Sequence, residues 1–255
     1  MAKTKGSVAR EQCIALREAG YSTYLIAETV GVSLSTVRYH VRGVKSKTDV
    51  ICKRPYVRKN QIIGTSLPPS EDLAYLIGVI SGDGNLWANS RTCKLGISCD
   101  ARYPDLIEKY MRLIERLTGR APSVRARKGG SYFEICLYGK GLSTLLNIPC
   151  GAKASNGYAV PEWIFEKPEY VRKFLLGLIE TDGGVYHEFR HGGWCSRCRF
   201  TAKYEPIMQA FLRASSLLGY NFRRCGDDAR LTITAEVKRL VTELDLTKIR
   251  TYKYL

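Results

Sequence analysis

Two segments of this chain, LIGVISGDG (76–84) and LLGLIETDG (175–183), are apolar nearly all round, carry a mid-segment glycine and end in Asp-Gly. A surface helix shows one apolar stripe, so a helix apolar on every side must be buried between partners. The natural partner for each is the other. Gly78 and Gly177 occupy equivalent positions, where a missing side chain lets two backbones approach closely. Packed together, the helices bring Asp83 and Asp182 side by side at one end. Two carboxylates at close range repel, and a bound divalent cation relieves that cost. Hard carboxylate oxygens suit magnesium.

The segments around these helices repeat as well. After Asp83 the spacing predicts a hairpin turning near Asn89-Ser90, a helix over 103–119, a hairpin over 124–138 and a short helix over 141–148. After Asp182 come a hairpin over 185–201, a helix over 204–219, a hairpin over 221–235 and a closing helix over 236–246. Asp83 and Asp182 are 99 residues apart, and the landmarks between keep register. The expectation is an α+β fold made of two tandem αββαββα units with antiparallel sheets and an internal pseudo-twofold. We divide the chain into an N-terminal helical domain (1–43), a linker (44–70), a first repeat (71–160) and a second (161–255).

Residues 7–43 read as three short helices. Val8, Ile14 and Ala15 begin an apolar stripe that stops at Gly20, and Ile26, Ala27 and Val30 recur in the second helix. Gly31 supplies a turn, and Ser33 or Ser35 caps a third helix holding Val37 and Val41. Small Ala27, Gly31 and Val37 have helix-turn-helix spacing, and the segment resembles bacterial DNA-binding modules of that kind. The exposed face of the third helix offers Ser35, Thr36, Arg38, Tyr39 and Arg42 to base edges and phosphates. Residues 44–70 show no sustained period. Their basic residues, including Arg54 and Arg58, suit a linker that follows a phosphate backbone.

Charge agrees with a polyanionic partner. The formal net charge is +16, far beyond what solubility needs, and it is spread over both halves of the chain. No basic amphipathic helix with a bulky apolar face suggests a membrane surface, and no long apolar run or signal-peptide core appears. A soluble, intracellular, DNA-associated protein in a bacterial or phage cytoplasm or an organelle is expected. The nine cysteines are scattered, as suits reduced thiols. Cys195 and Cys198 have zinc-ligand spacing, but without a second pair two strand thiols are the simpler reading.

The two Asp-Gly segments resemble the paired motifs of single-chain LAGLIDADG homing endonucleases, as does the stretch between them (146–186). The resemblance implies a double-strand DNA endonuclease working at a long pseudo-palindromic site. It places metal at Asp83 and Asp182, with Gly82 and Thr181 beside them, and two or three Mg2+ ions shared between the aspartates. The family's earlier acidic position is Ser81 in the first motif and Glu180 in the second. The resemblance also implies a lysine near the reacting water in each repeat: Lys153 in the first, and Lys248 or Lys253 in the second. The strands would lie on DNA, presenting Arg125 and Arg127, Arg197 and Arg199, and Arg223, Arg224 and Arg230. With both motifs in one chain, a monomer is expected. Two alternatives share scaffold and charge: a non-cleaving DNA-binding regulator and an RNA maturase that assists intron splicing. An intein is disfavoured by the lack of a splicing-type Cys or Ser start and His-Asn end.

Overall fold

The computed structural model describes residues 5–21, 23–44, 65–88, 92–127, 131–190 and 193–246. Most of the linker, with Arg54 and Arg58, lies outside them, as do Lys248 and Lys253. Three helices lead the chain: α1 (Lys5–Glu18), α2 (Thr23–Val30) and α3 (Leu34–His40). Two repeats follow. The first comprises α4 (Glu71–Ser81), β1 (Gly84–Ala88), β2 (Cys93–Asp100), α5 (Pro104–Thr118), β3 (Ser123–Ala126), β4 (Tyr132–Gly139) and α6 (Leu142–Leu146). A 3-10 turn at Glu162–Phe165 precedes the second: α7 (Pro168–Asp182), β5 (Gly183–Arg190), β6 (Gly193–Thr201), α8 (Glu205–Leu217), β7 (Arg223–Cys225), β8 (Asp228–Leu231) and α9 (Thr234–Leu244). This is the expected αββαββα order twice over. The four-stranded sheets have the same topology, β1-β2-β4-β3 and β5-β6-β8-β7.

The chain divides into two compact units, one of Met1–Lys59 with Ser98–Leu137 and one of Asn60–Ile97 with Tyr138–Leu255. The boundary between these units runs through the first repeat.

In the first unit, α1–α3 close over Cys13, Ile26, Val37 and Val41, with Leu16, Ala27 and Val30 packed against them. Gly31 takes the turn before α3 with φ +71, a conformation that glycine enters without steric cost. Ser33 is the cap, its Oγ accepting the Thr36 amide at 3.2 Å. The α1 stripe is corrected. Val8 is 41% exposed and Cys13 fully buried, because a reduced cysteine packs as a small hydrophobe. In α5, Leu106, Ile107, Tyr110, Met111, Leu113 and Ile114 are buried at helical spacing.

In the second unit, nine consecutive residues of α4, Leu73 to Ser81, are buried. So is every residue of α7 from Phe174 to Thr181. The two helices bury each other, and their crossing is set by glycine. A Cβ on Gly177 would lie 2.6 Å from the Tyr75 carbonyl oxygen, and one on Gly78 would lie 3.2 Å from Gly177 Cα. The helix N-termini are defined too. Ser70 Oγ accepts the Leu73 amide at 3.2 Å, and Pro168 opens α7, where its missing N–H costs nothing. The second sheet packs Phe200 on Phe211 of α8, rings stacked 4.0 Å apart. Among the described residues, no helix is long and apolar enough to cross a membrane.

Candidate active site

Both helices end in Asp-Gly, and the glycine has a steric task. The chain turns back into β1 and β5 against the last helical turn. A Cβ on Gly84 would sit 2.5 Å from Ile80 Cα, and one on Gly183 would sit 2.7 Å from Ile179 Cα. Gly183 has φ −103 and ψ −177, so the requirement is for absent bulk rather than a left-handed backbone. Only glycine lets each aspartate stand at the junction of a buried helix and a sheet.

Asp83 and Asp182 are both exposed, at the same end of the α4–α7 crossing. The motif ends interlock. A Cβ on Gly82 would meet Thr181 Cβ at 2.6 Å and Asp182 Oδ2 at 3.2 Å. Lys153 reaches the same place from the segment after α6, its Nζ donating to the carbonyls of Ser81 at 2.7 Å and Gly82 at 2.8 Å. Burial lowers its ammonium to about 8, against the attraction of Asp182 and Asp83, which favour the charged form. A lysine tuned this way exchanges a proton near neutral pH. Lys153 and both aspartates therefore form one neighbourhood.

The donor set fits a hard cation that keeps water and substrate oxygens in its shell. Asp83 and Asp182 offer two exposed carboxylates, and among the described residues no group of three or more His, Cys, Asp or Glu that could hold a metal ion is found. Magnesium binds in that manner, through one or two carboxylates plus phosphate oxygens. The two other expected ligands are differently engaged. The Gly82 carbonyl already accepts Lys153, and the Thr181 hydroxyl donates into its own helix, to the Gly177 carbonyl at 2.9 Å.

Two tyrosines that sequence reasoning did not single out lock the motifs from behind. Tyr158 OH pairs with Ser81 Oγ at 2.8 Å, and burial pushes its phenol up to about 12 against that hydrogen bond. Tyr75 OH donates to Glu180 Oε2, an acid that is 1% exposed. The departure at the earlier acidic position thus has a structural reading. Ser81 and Glu180 each bond a buried tyrosine. Tyr75 immediately precedes the first motif, which is the one signal the sequence held.

Strand register sorts the arginines. Arg223 pairs across to Arg230, and Arg230 to Arg199, so the three stand in one row on one face of the second sheet. Directly opposed like charges repel; Asp228 offsets this, accepting Arg199 Nε at 2.9 Å and Arg230 at 2.8 Å. Arg197, on the same face, donates to Glu188 at 2.8 Å. Arg224 lies on the opposite, helix-facing side and forms a two-pronged pair with Glu205, both contacts 2.6 Å. In the first repeat, Arg125 stands opposite Glu134, Arg127 pairs with Glu134, and both arginines are exposed. On the β1–β2 hairpin, exposed Trp87 stands opposite Lys94, a pair the sequence reading omitted. On α3 and just beyond it, Ser35, Arg38, Tyr39 and Arg42 are exposed and Thr36 is half-buried. Cys195 and Cys198 fall on opposite faces of β6, since three residues along a strand reverses the side; Cys198 is buried and Cys195 only partly.

No family model matches the chain. Among curated proteins, it is 26% identical to a replication factor C small subunit of Methanocaldococcus jannaschii over 234 residues, 85% of this chain. It is 29% identical to a tRNA-splicing ligase RtcB of Methanopyrus kandleri over 138 residues, 46% of this chain. It spans only 11% and 13% of the length of these relatives. Among solved structures, I-DmoI in complex with DNA and Mn is 18% identical, with a TM-score of 0.47 over 70% of this chain and 97% of that one. The LAGLIDADG meganuclease I-AabMI bound to uncleaved DNA is 11% identical, with a TM-score of 0.45 over 69% and 84%. The N-terminal LAGLIDADG domain of DUF199/WhiA is 12% identical, with a TM-score of 0.46 over 77% and 89%.

Proposed function

We propose that this chain is a LAGLIDADG-type endonuclease that hydrolyses phosphodiesters of duplex DNA with divalent metal, acting as a monomer. One observation carries the reading: Asp83 and Asp182 stand at the same end of two mutually buried helices, with Lys153 held on the Gly82 carbonyl beside them. Magnesium bound at the two carboxylates would activate water and stabilise the departing oxygen. The chain's own residues supply the rest. The aspartates would hold the cation, Lys153 accepts or returns a proton, and Tyr158 and Tyr75 fix the helix ends. The basic sheet face, with the Arg223, Arg230 and Arg199 row, lies against phosphates and base edges. Residues 1–43 act as a helix-turn-helix that adds a second contact through α3, joined by the basic segment 44–70. Ser35, Thr36, Arg38, Tyr39 and Arg42 are its reading face.

The test is cleavage of a randomised DNA library in magnesium by the wild-type chain, Asp83→Asn, Asp182→Asn and Lys153→Met. Wild type is expected to cut a long site. The two aspartate variants should bind it with unchanged or tighter affinity and leave it intact. Lys153→Met should bind equally and cut about a hundredfold more slowly or worse. Tight, specific binding by wild type with no cutting in any divalent metal would overturn the nuclease reading and leave a DNA-binding regulator.

A further inference from the structure

Cys93 opens β2, and Cys150 lies between α6 and Lys153; their Sγ atoms are 3.1 Å apart. That is about an ångström from bonding distance. The two thiols differ in access. Cys93 is 7% exposed, and burial, then its hydrogen bond to Cys150, pushes its thiol up to about 12. Cys150 is partly exposed, so a reagent in solution reaches it first.

The segment that holds Cys150 also presents Lys153, and it is folded tightly onto the first hairpin. The Gly151 amide donates to the Leu86 carbonyl of β1 at 2.7 Å. Asn156 Nδ2 donates to the Cys150 carbonyl at 3.2 Å, and its Oδ1 accepts the Tyr158 amide at 3.1 Å. A covalent bond at Cys150 would anchor this loop three residues before the lysine.

We propose that Cys93 and Cys150 form a reactive dithiol, a modification site whose substrate is a low-molecular-weight disulfide such as oxidised glutathione. The Cys150 thiolate attacks one sulfur of the reagent, whose S–S bond breaks, and one glutathione leaves as a thiol after taking up a proton. Cys93 gives up its proton and attacks the Cys150 sulfur, expelling the second glutathione. Two protein thiols are oxidised to one disulfide, and the reagent is reduced to two thiols. The bond joins positions 57 residues apart, which ties the β1–β2 hairpin to the Lys153 loop and restricts the unfolded chain. None of this depends on whether the aspartates cut DNA.

The test uses the full chain in mixtures of reduced and oxidised glutathione, trapped and mapped by mass spectrometry without reduction. A Cys93–Cys150 crosslinked peptide is expected under conditions where exposed Cys225 carries only a glutathione adduct. In Cys93→Ser, Cys150 should be caught as a stable glutathione adduct. In Cys150→Ser, Cys93 should react at least tenfold more slowly than Cys150 does in Cys93→Ser. Oxidised wild type should melt several degrees above the reduced form, a shift that Cys93→Ser lacks. A persistent glutathione adduct on Cys150 in wild type, or a crosslink that forms only in urea, would overturn the proposal. Because the readouts are mass and melting, they stand or fall separately from cleavage.

Discussion

Lys153 and Asp228 show how single residues here act through what surrounds them. Lys153 is one of 40 basic residues, and it stands out because burial and two carbonyl acceptors hold its Nζ beside the aspartates. Asp228 is 8% exposed. Burial alone would raise its carboxyl, but hydrogen bonds from Arg230, Thr201 and Arg199 outweigh it and hold the group below the ordinary range. A carboxyl depressed in the folded state contributes stability above its unfolded pKa of about 4 and loses it as pH falls through the lower folded value. Urea unfolding of wild type should therefore weaken more between pH 6 and pH 3 than that of Asp228→Asn, which is already weaker at pH 6. An identical acid loss in both proteins would remove Asp228 from that role. The sequence showed the arginines but not this acid. Its register beneath Arg199 and Arg230 exists only once β6 and β8 have paired.

At the level of elements, the glycines of the two core helices decide the site. Gly78 and Gly177 let α4 and α7 touch backbone to backbone, and Gly84 and Gly183 let each chain double back against its own helix. Gly78→Ala would push a methyl into the Phe174 carbonyl and Gly177 Cα, which are backbone atoms that cannot rotate away. We expect a loss of about 3 kcal/mol, at the upper end of overpacking costs, read as a lower urea midpoint. Far-UV circular dichroism should stay helical, because alanine favours helix over glycine. An unchanged midpoint would mean the helices can slide apart at small cost. The helices and hairpins were legible in sequence because period and punctuation are local signals. The α1 stripe departs from its sequence period at Val8, which is 41% exposed, because exposure depends on which helix comes to cover it. The split between Arg223 and Arg224 needed strand register, which a short hairpin such as β7–β8 reveals only weakly.

For the molecule as a whole, charge and repetition speak together. On the proposed function, a net charge of +16 predicts DNA binding whose strength falls steeply with salt, each phosphate contact contributing about one unit to the slope of log affinity against log salt. Replacing Arg38 and Arg42 on the N-terminal bundle with alanine should weaken DNA binding and lower that slope by about two. The cutting rate at saturating protein should not change. A loss of cutting with binding intact would show that the bundle takes part in the reaction rather than in affinity. The sequence by itself determined the repeat, the all-round apolar helices, the terminal aspartates and the basic balance, because each is written in local pattern or in counting. Tertiary structure alone decided that Lys153 seats its Nζ on the Ser81 and Gly82 carbonyls, that Tyr158 and Tyr75 lock Ser81 and Glu180, and that Cys150 meets Cys93. These partners lie 57 to 105 residues apart, and only packing, driven by burial of the two central helices, brings such distances to hydrogen-bond length.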